Sequence, residues 1–389
     1  MADNKNQHYV PRCHLKPFTL DGEGLAINLF NHRSNKIIFD APVKNQCSRN
    51  YFYGQDLILE KFLQKWEGRY ATVIKKIVSD EQITDVEKIF LRDFAYLQWS
   101  RTAAAVNRRM DAINEMDDIA FKGFNDPNKI AIDASHERVM FSVMKTWSET
   151  IKNISDLSVI LIKNMTDVDF ITSDDPSIMS NRVYLQRMGD SNFGVNSTGV
   201  QIIMPLTPRM AIIVFDPTAY LAKNVKRGIF YANKLSDVRL INEYQIINSV
   251  SNLYFLNKTD DEKVRLEFQK HKDRRLAHRF HHWIGIMVDH NGDQNIECYR
   301  RIGENDLNDR STRIIAHSPI YPKPSGWFSG LPFRLPLRGV YTGSASAFIR
   351  PMHLPSGVRY KVLDIPNKPM PGFAMGDREY VYRRKDFSR

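Results

Sequence analysis

Apolar side chains recur along this chain with two periods, and the switches between them outline its elements. Leu25-Ala26-Ile27-Asn28-Leu29-Phe30 and Lys36–Phe39 flank the turn-like Asn31-His32-Arg33-Ser34-Asn35, which predicts a β-hairpin. The preceding residues 8–18 are too rich in proline and polar groups for a helix interior. Residues 45–54 form a loop with three aromatics. From Gln55 the period becomes helical, with Leu57, Phe62, Trp66, Tyr70, Val73 and Ile77 at helix-compatible spacings. A second helix is predicted from Thr84 through Leu97 and Arg101 towards Met110. Thr84 and Glu87 have the spacing of a capping box, in which each side chain satisfies the other residue's backbone N–H. Asp126-Pro127-Asn128 reads as a break, and a third helix is predicted over about His136–Lys152.

The middle of the chain changes character. Ser158–Lys163, Val200–Met204 and Met210–Phe215 are short apolar runs rich in β-branched residues, the pattern of central strands. Asp169–Thr172 leads into the turn Ser173-Asp174-Asp175-Pro176. Residues 234–250 read as a helix and 251–257 as a closing strand. Lys258–Trp283 predicts a charged helix, and residues 284–304 a short hairpin around Asp289–Asp293. Ten of the 18 prolines then fall between Pro319 and Pro371, so no regular helix or central strand is expected there. The stretch Gly326-Trp327-Phe328-Ser329-Gly330-Leu331-Pro332 is too apolar for simple disorder, so residues 319–371 should pack on a surface, that of another subunit or a partner protein. The expected fold is α+β: an N-terminal hairpin and helical segment packed with a mixed central sheet, then an irregular basic C-terminal extension. Its expected units are residues 1–257, 258–304 and 305–389.

Composition narrows the class. An apolar share of 42% and a charged share of 25% are ordinary for a globular protein. No apolar run reaches the length of a membrane span. The polar start, MADNKNQHYV, lacks the apolar core of a signal peptide. Cys13, Cys47 and Cys298 are few, odd in number and without Cys-x-x-Cys spacing, which favours a reducing cytosol over a disulfide framework or thiolate zinc site. Of the net charge of +11, residues 261–389 carry +9, since they hold 23 Lys and Arg against 14 Asp and Glu. Such a tail suits a polyanionic partner, although a basic solvated surface has the same composition.

Several polar motifs stand out against this background. Gln7-His8-Tyr9-Val10-Pro11-Arg12-Cys13-His14-Leu15-Lys16-Pro17-Phe18 resembles the N-terminal signature of domain of unknown function 4238. Asn50-Tyr51-Phe52-Tyr53, Leu97-Gln98-Trp99-Ser100-Arg101-Thr102, Phe170-Ile171-Thr172-Ser173-Asp174-Asp175-Pro176 and Pro205-Leu206-Thr207-Pro208 resemble later blocks of that family. Ile241-Asn242-Glu243 and Tyr254-Phe255 fit a weaker block, and the resemblance spans about residues 7–257. It implies a mostly bacterial family without an assigned activity. Cys13-His14 replace the aromatic that usually follows the signature Arg.

Candidate chemistry follows from these motifs. Pro11 stiffens the backbone between His8 and Arg12, and a neighbouring guanidinium favours a neutral imidazole that accepts a proton or binds a metal. Glu60 and Glu67 lie two turns apart on one helix face, roughly 10 Å by helix rise, so each can border a common site but not share one ion. Arg101 beside the apolar Phe90, Phe94 and Leu97 needs a partner if buried, and Asp174 is the natural candidate. Lys270, Lys272, Arg274, Arg275, His278 and Arg279 form a basic helical face with Trp283 available to stack. His278 and His282 have i, i+4 metal spacing without the Glu of a zincin motif. For each group a purely structural role is the competing reading. Two functions are therefore expected. One is a nucleic-acid-directed effector in bacterial defence or a toxin setting, a metal-assisted phosphodiesterase using Mg or Mn. There His8 is base or ligand, Arg12 and Arg101 hold phosphate, and Glu60, Asp174 and Asp175 hold the ion. The other is a non-catalytic binding or assembly protein whose polar signature is structural.

Overall fold

The computed structural model describes residues 5–121, 133–288, 296–303, 306, 313–341, 348–353, 361–367 and 379–384. The N-terminal part runs β1 (Asn6–His8), α1 (Arg12–Leu15), β2 (Ala26–Asn31), β3 (Lys36–Pro42) and β4 (Ser48–Asn50). Four longer helices follow: α2 (Ile58–Val78), α3 (Asp85–Arg101), α4 (Ala103–Phe121) and α5 (His136–Thr150). The central part contains β5 (Ser158–Asn164), β6 (Thr172–Ser173), β7 (Ile178–Asn181), β8 (Val200–Thr207), β9 (Met210–Phe215), β10 (Val225–Lys226), β11 (Ile229–Ala232), α6 (Leu235–Asn248) and β12 (Asn252–Phe255). After α7 (Asp261–His271) come β13 (Phe280–Val288), β14 (Ile296–Arg301), β15 (Arg313–Pro319), β16 (Arg338–Tyr341), β17 (Phe348–Ile349), β18 (Lys361–Asp364) and β19 (Tyr380–Arg384).

The expected α+β class is what the chain adopts. The central sheet has the order β10-β11-β5-β9-β8-β7, and β11 against β5 is its parallel pair. Strands β8 and β9 are buried at every position, because both faces of the sheet are covered. The predicted hairpin is β2–β3, and it joins β12 and β6 in a second, four-stranded sheet. Helices α2 and α3 pack together through buried aromatics, with Tyr70 and Phe94 stacked at 3.9 Å between ring centroids. The capping box forms as expected: Glu87 N–H donates to Thr84 Oγ1, and Glu87 Oε2 accepts from Thr84 N–H.

Three expectations need correction. The second helix does not continue to Met110. Thr102 is extended, with φ −71° and ψ 158°, and separates α3 from α4. Its hydroxyl accepts from Ala105 N–H and donates to Asp175 Oδ1 at 2.7 Å, so the break is capped and held by a residue far along the chain. The Lys258–Trp283 helix is also too long. It ends at His271, and Trp283 lies in β13. Arg275 instead donates to Ile246 O and Ser249 O, and Arg279 to Ile247 O, satisfying carbonyls that the end of α6 leaves open. His278 and His282 therefore share no helical face. The 284–304 hairpin is present as β13–β14, while its turn, with Asp289–Asp293, lies outside the described residues.

The third correction concerns residues 319–371. Their described parts pack on the chain's own central domain. Phe328, Leu331, Leu337, Phe348 and Ile365 enter the main core. Ser325 and Ser329 hydrogen-bond through N–H and hydroxyl to Glu243 and Asp237 of α6. Arg350, fully buried, donates to Asp156 at 2.7 Å and to the carbonyls of Val195 and Asn153. Strands β17, β16 and β18 form a small sheet, so the extension is not wholly irregular. Among the described residues no helix is long and apolar enough to cross a membrane.

Candidate functional site

The signature motifs meet, but largely as a buried brace. Arg101, at the end of α3, is fully buried. Its Nε donates to Gln98 Oε1 at 2.9 Å and its Nη1 to Glu67 Oε1 at 2.8 Å, while buried Nη2 has no hydrogen-bond partner among the described residues. Gln98 Nε2 donates to Tyr9 O, Tyr53 N–H to Gln7 Oε1, and Tyr53 Oη to His8 O. Three motifs widely separated in sequence are thereby tied together. Burial opposes the charge on Arg101, but Tyr53 and Glu67 outweigh it and hold the guanidinium protonated. Glu60 is half-buried, which raises its carboxyl pKa. Burial, then Arg12, lowers the pKa of His8, while Arg12 itself is exposed.

Asp174 is elsewhere engaged. Its carboxylate accepts from the N–H groups of Val250, Ser251 and Asn252 at 2.8, 2.8 and 3.0 Å, closing the turn from α6 into β12. The partner of Arg101 is thus Glu67 and not Asp174, whose carboxylate is held at the turn by three backbone N–H groups. Asp175, fully buried, accepts from Thr102 Oγ1, from Arg108 Nη1 at 2.6 Å and from Asn248 Nδ2 at 2.9 Å. Glu60 accepts from Gln64. Among the described residues, no three His, Cys, Asp or Glu side chains are grouped to hold a metal, so Glu60, Asp174 and Asp175 do not make one donor set.

Asp175 leads to a different place. Arg108 and Arg109 of α4, Tyr96 and Trp99 of α3, Arg279 and His317 line a cleft of about 220 Å³. Tyr96 and Trp99 lie nearly parallel, with centroids 5.7 Å apart. Among the described residues, Arg108 alone of the three arginines is paired with a carboxylate. Arg279 rests on Ile247 O and Asn248 Oδ1, and burial followed by Arg108 lowers its pKa to about 9. The cleft therefore holds more positive charge than its protein neighbours balance. On its C-terminal wall, His317 stands opposite His282 in the β13–β15 register. His317 Nδ1 lies 3.3 Å from His282 Nε2, and His282 Nδ1 lies 3.5 Å from Glu115 Oε1, an ion-pair distance outside good hydrogen-bond geometry.

Of the basic residues singled out in sequence, only Arg279 lines this cleft. Lys270 and Lys272 are exposed, Lys270 reaching Glu267 at 3.9 Å. Arg274 approaches Glu243, Arg275 is committed to α6, and His278 is exposed. Arg108, Arg109, His317 and Tyr96 lie in none of the motifs, and Trp99 lies in one of them without having been given a role. The Arg108-Arg109 pair was the available signal, one helix beyond Arg101.

Fold and site together define an α+β protein with a basic, aromatic-walled cleft that its C-terminal part completes. The model of a family described as a protein of unknown function, DUF4238, matches residues 6–259, and the chain belongs to that family. No curated protein and no solved structure matches it. The cleft straddles the family boundary: the α3 and α4 residues lie inside the matched span, Arg279 and His317 beyond it.

Proposed function

We propose that this protein is nucleic-acid-directed, holding a phosphate of an unpaired strand in the cleft between α3, α4 and the C-terminal wall. The observation that carries this reading is the three guanidiniums around one paired carboxylate. Planar guanidiniums suit phosphate oxygens in two-point contacts. Tyr96 and Trp99 offer ring faces to an unpaired base. The overall charge of +11 favours encounter with a polyanion. The three free cysteines accord with work in a reducing compartment. Metal-assisted cleavage has weaker support, since Asp174 and Asp175 are engaged by N–H groups, Thr102, Arg108 and Asn248. Binding is tested by fluorescence anisotropy with short single-stranded RNA and DNA across a salt series. Arg109→Ala and Arg279→Met should each weaken binding and reduce the salt slope by about 1. Wild-type affinity that neither variant changes would remove the cleft from consideration.

A further inference from the structure

We infer that His317 is the general base of an RNA-cleaving reaction in this cleft, with His282 and Glu115 as positioning residues behind it. The inference rests on the nucleic-acid reading above and deepens it. The three side chains form a line from helix α4 through the two neighbouring strands: Glu115 Oε1 to His282 Nδ1 at 3.5 Å, then His282 Nε2 to His317 Nδ1 at 3.3 Å. One proton arrangement suits that line. The carboxylate favours a proton on His282 Nδ1, which leaves His282 Nε2 as acceptor. His317 Nδ1 must then donate, and its lone pair resides on Nε2. No described residue bonds that atom, and His317 lines the cleft with the arginines. Burial, then His282 and Arg109, lowers the His317 pKa to about 4, so the ring is neutral at neutral pH with its lone pair unprotonated, though a weaker base than a free imidazole. A phosphate neutralising the arginines would strengthen it as a base.

Such a base needs a nucleophile close at hand, and RNA carries one beside every phosphate. An internal hydroxyl has a high effective concentration and needs no separately bound water. His317 Nε2 takes the proton of a ribose 2′-hydroxyl as the 2′-oxygen bonds to the adjacent phosphorus. The bond from phosphorus to the 5′-oxygen breaks. That oxygen takes a proton from water, and the proton on His317 neutralises the hydroxide. The products are a 2′,3′-cyclic phosphate and a 5′-hydroxyl, with no oxidant, reductant or other reactant consumed. Arg108, Arg109 and Arg279 supply charge where the phosphoryl oxygens become more negative.

The full chain is incubated with a single-stranded RNA in EDTA, and products are separated by mass. Cyclic-phosphate ends are expected. A single 2′-deoxy substitution should abolish cleavage at that position while leaving binding intact, a test that needs no protein variant. His317→Gln should lower kcat by roughly 100-fold or more with affinity retained. His282→Gln should lower kcat with little change in KM. RNA that binds but stays whole overturns the base assignment and leaves the binding reading standing. Failure of RNA to bind overturns both. Cleavage that tolerates the 2′-deoxy substitution also refutes the mechanism.

Discussion

Acid should weaken this fold through His14, and the size of the effect can be worked from its surroundings. The imidazole is fully buried, 3.0 Å from Tyr70 Oη and 2.9 Å from Thr172 Oγ1. It links α1 to helix α2 and to the strand before the Asp174 turn. Burial, then Arg101, lowers its pKa from 6.5 to about 3. The unfolded chain therefore takes up a proton at His14 well before the folded one does. Stability from this group is complete above about pH 6.5, declines as pH falls, and is fully lost below about 3. The whole shift corresponds to about 5 kcal/mol, and the loss by pH 5 to about 2 kcal/mol. The latter is a sizeable share of the 5–15 kcal/mol typical of a domain. His14→Gln keeps a donor and an acceptor but cannot titrate. Urea unfolding at pH 7.5 and pH 5 should show the wild-type advantage over the variant shrinking by about 2 kcal/mol. Other histidines with a lowered pKa, such as the half-buried His32, titrate in both proteins and cancel in the difference. An advantage that is the same at both pH values would refute the reasoning.

Other perturbations probe the brace, the break at Thr102 and the C-terminal extension. Glu67→Ala leaves Arg101 charged and buried, which should cost about 3–5 kcal/mol in chemical denaturation, whereas Glu67→Met with Arg101→Met should recover much of it. Thr102→Val removes both the cap of α4 and the bond to Asp175, and should cost about 1–3 kcal/mol by the same measurement. Ser329→Ala removes the hydroxyl bond to Asp237, and the C-terminal extension should then become more open to limited proteolysis at unchanged α3 and α4 protection.

Local signals survived into the structure where the cause was local. The Thr84–Glu87 box, the β2–β3 hairpin and the apolar β8 and β9 each depend on neighbours within a few residues or on burial of a whole run. The failures have tertiary causes. Ala103-Ala104-Ala105 favours a helix, so the cap type of Thr102 was a weak local signal, and the break is held as well by distant Asp175. The charged run after His271 is equally helix-compatible, yet Arg275 and Arg279 are drawn to the end of α6. Arg101 plainly needed an acid, but sequence cannot rank Glu67 against Asp174. The cleft was hidden because His317 becomes the neighbour of His282 only through strand register.

The way the described parts of residues 319–365 are seated has a broader consequence. Serine anchors, a sequestered arginine and several apolar plugs fasten this strap to a scaffold that is assembled largely from earlier residues. One side of the cleft can consequently be exchanged while the helices opposite keep their shape. A change in the cleft's lining on that side then requires no redesign of the interior, only a different strap that still fits the same moorings.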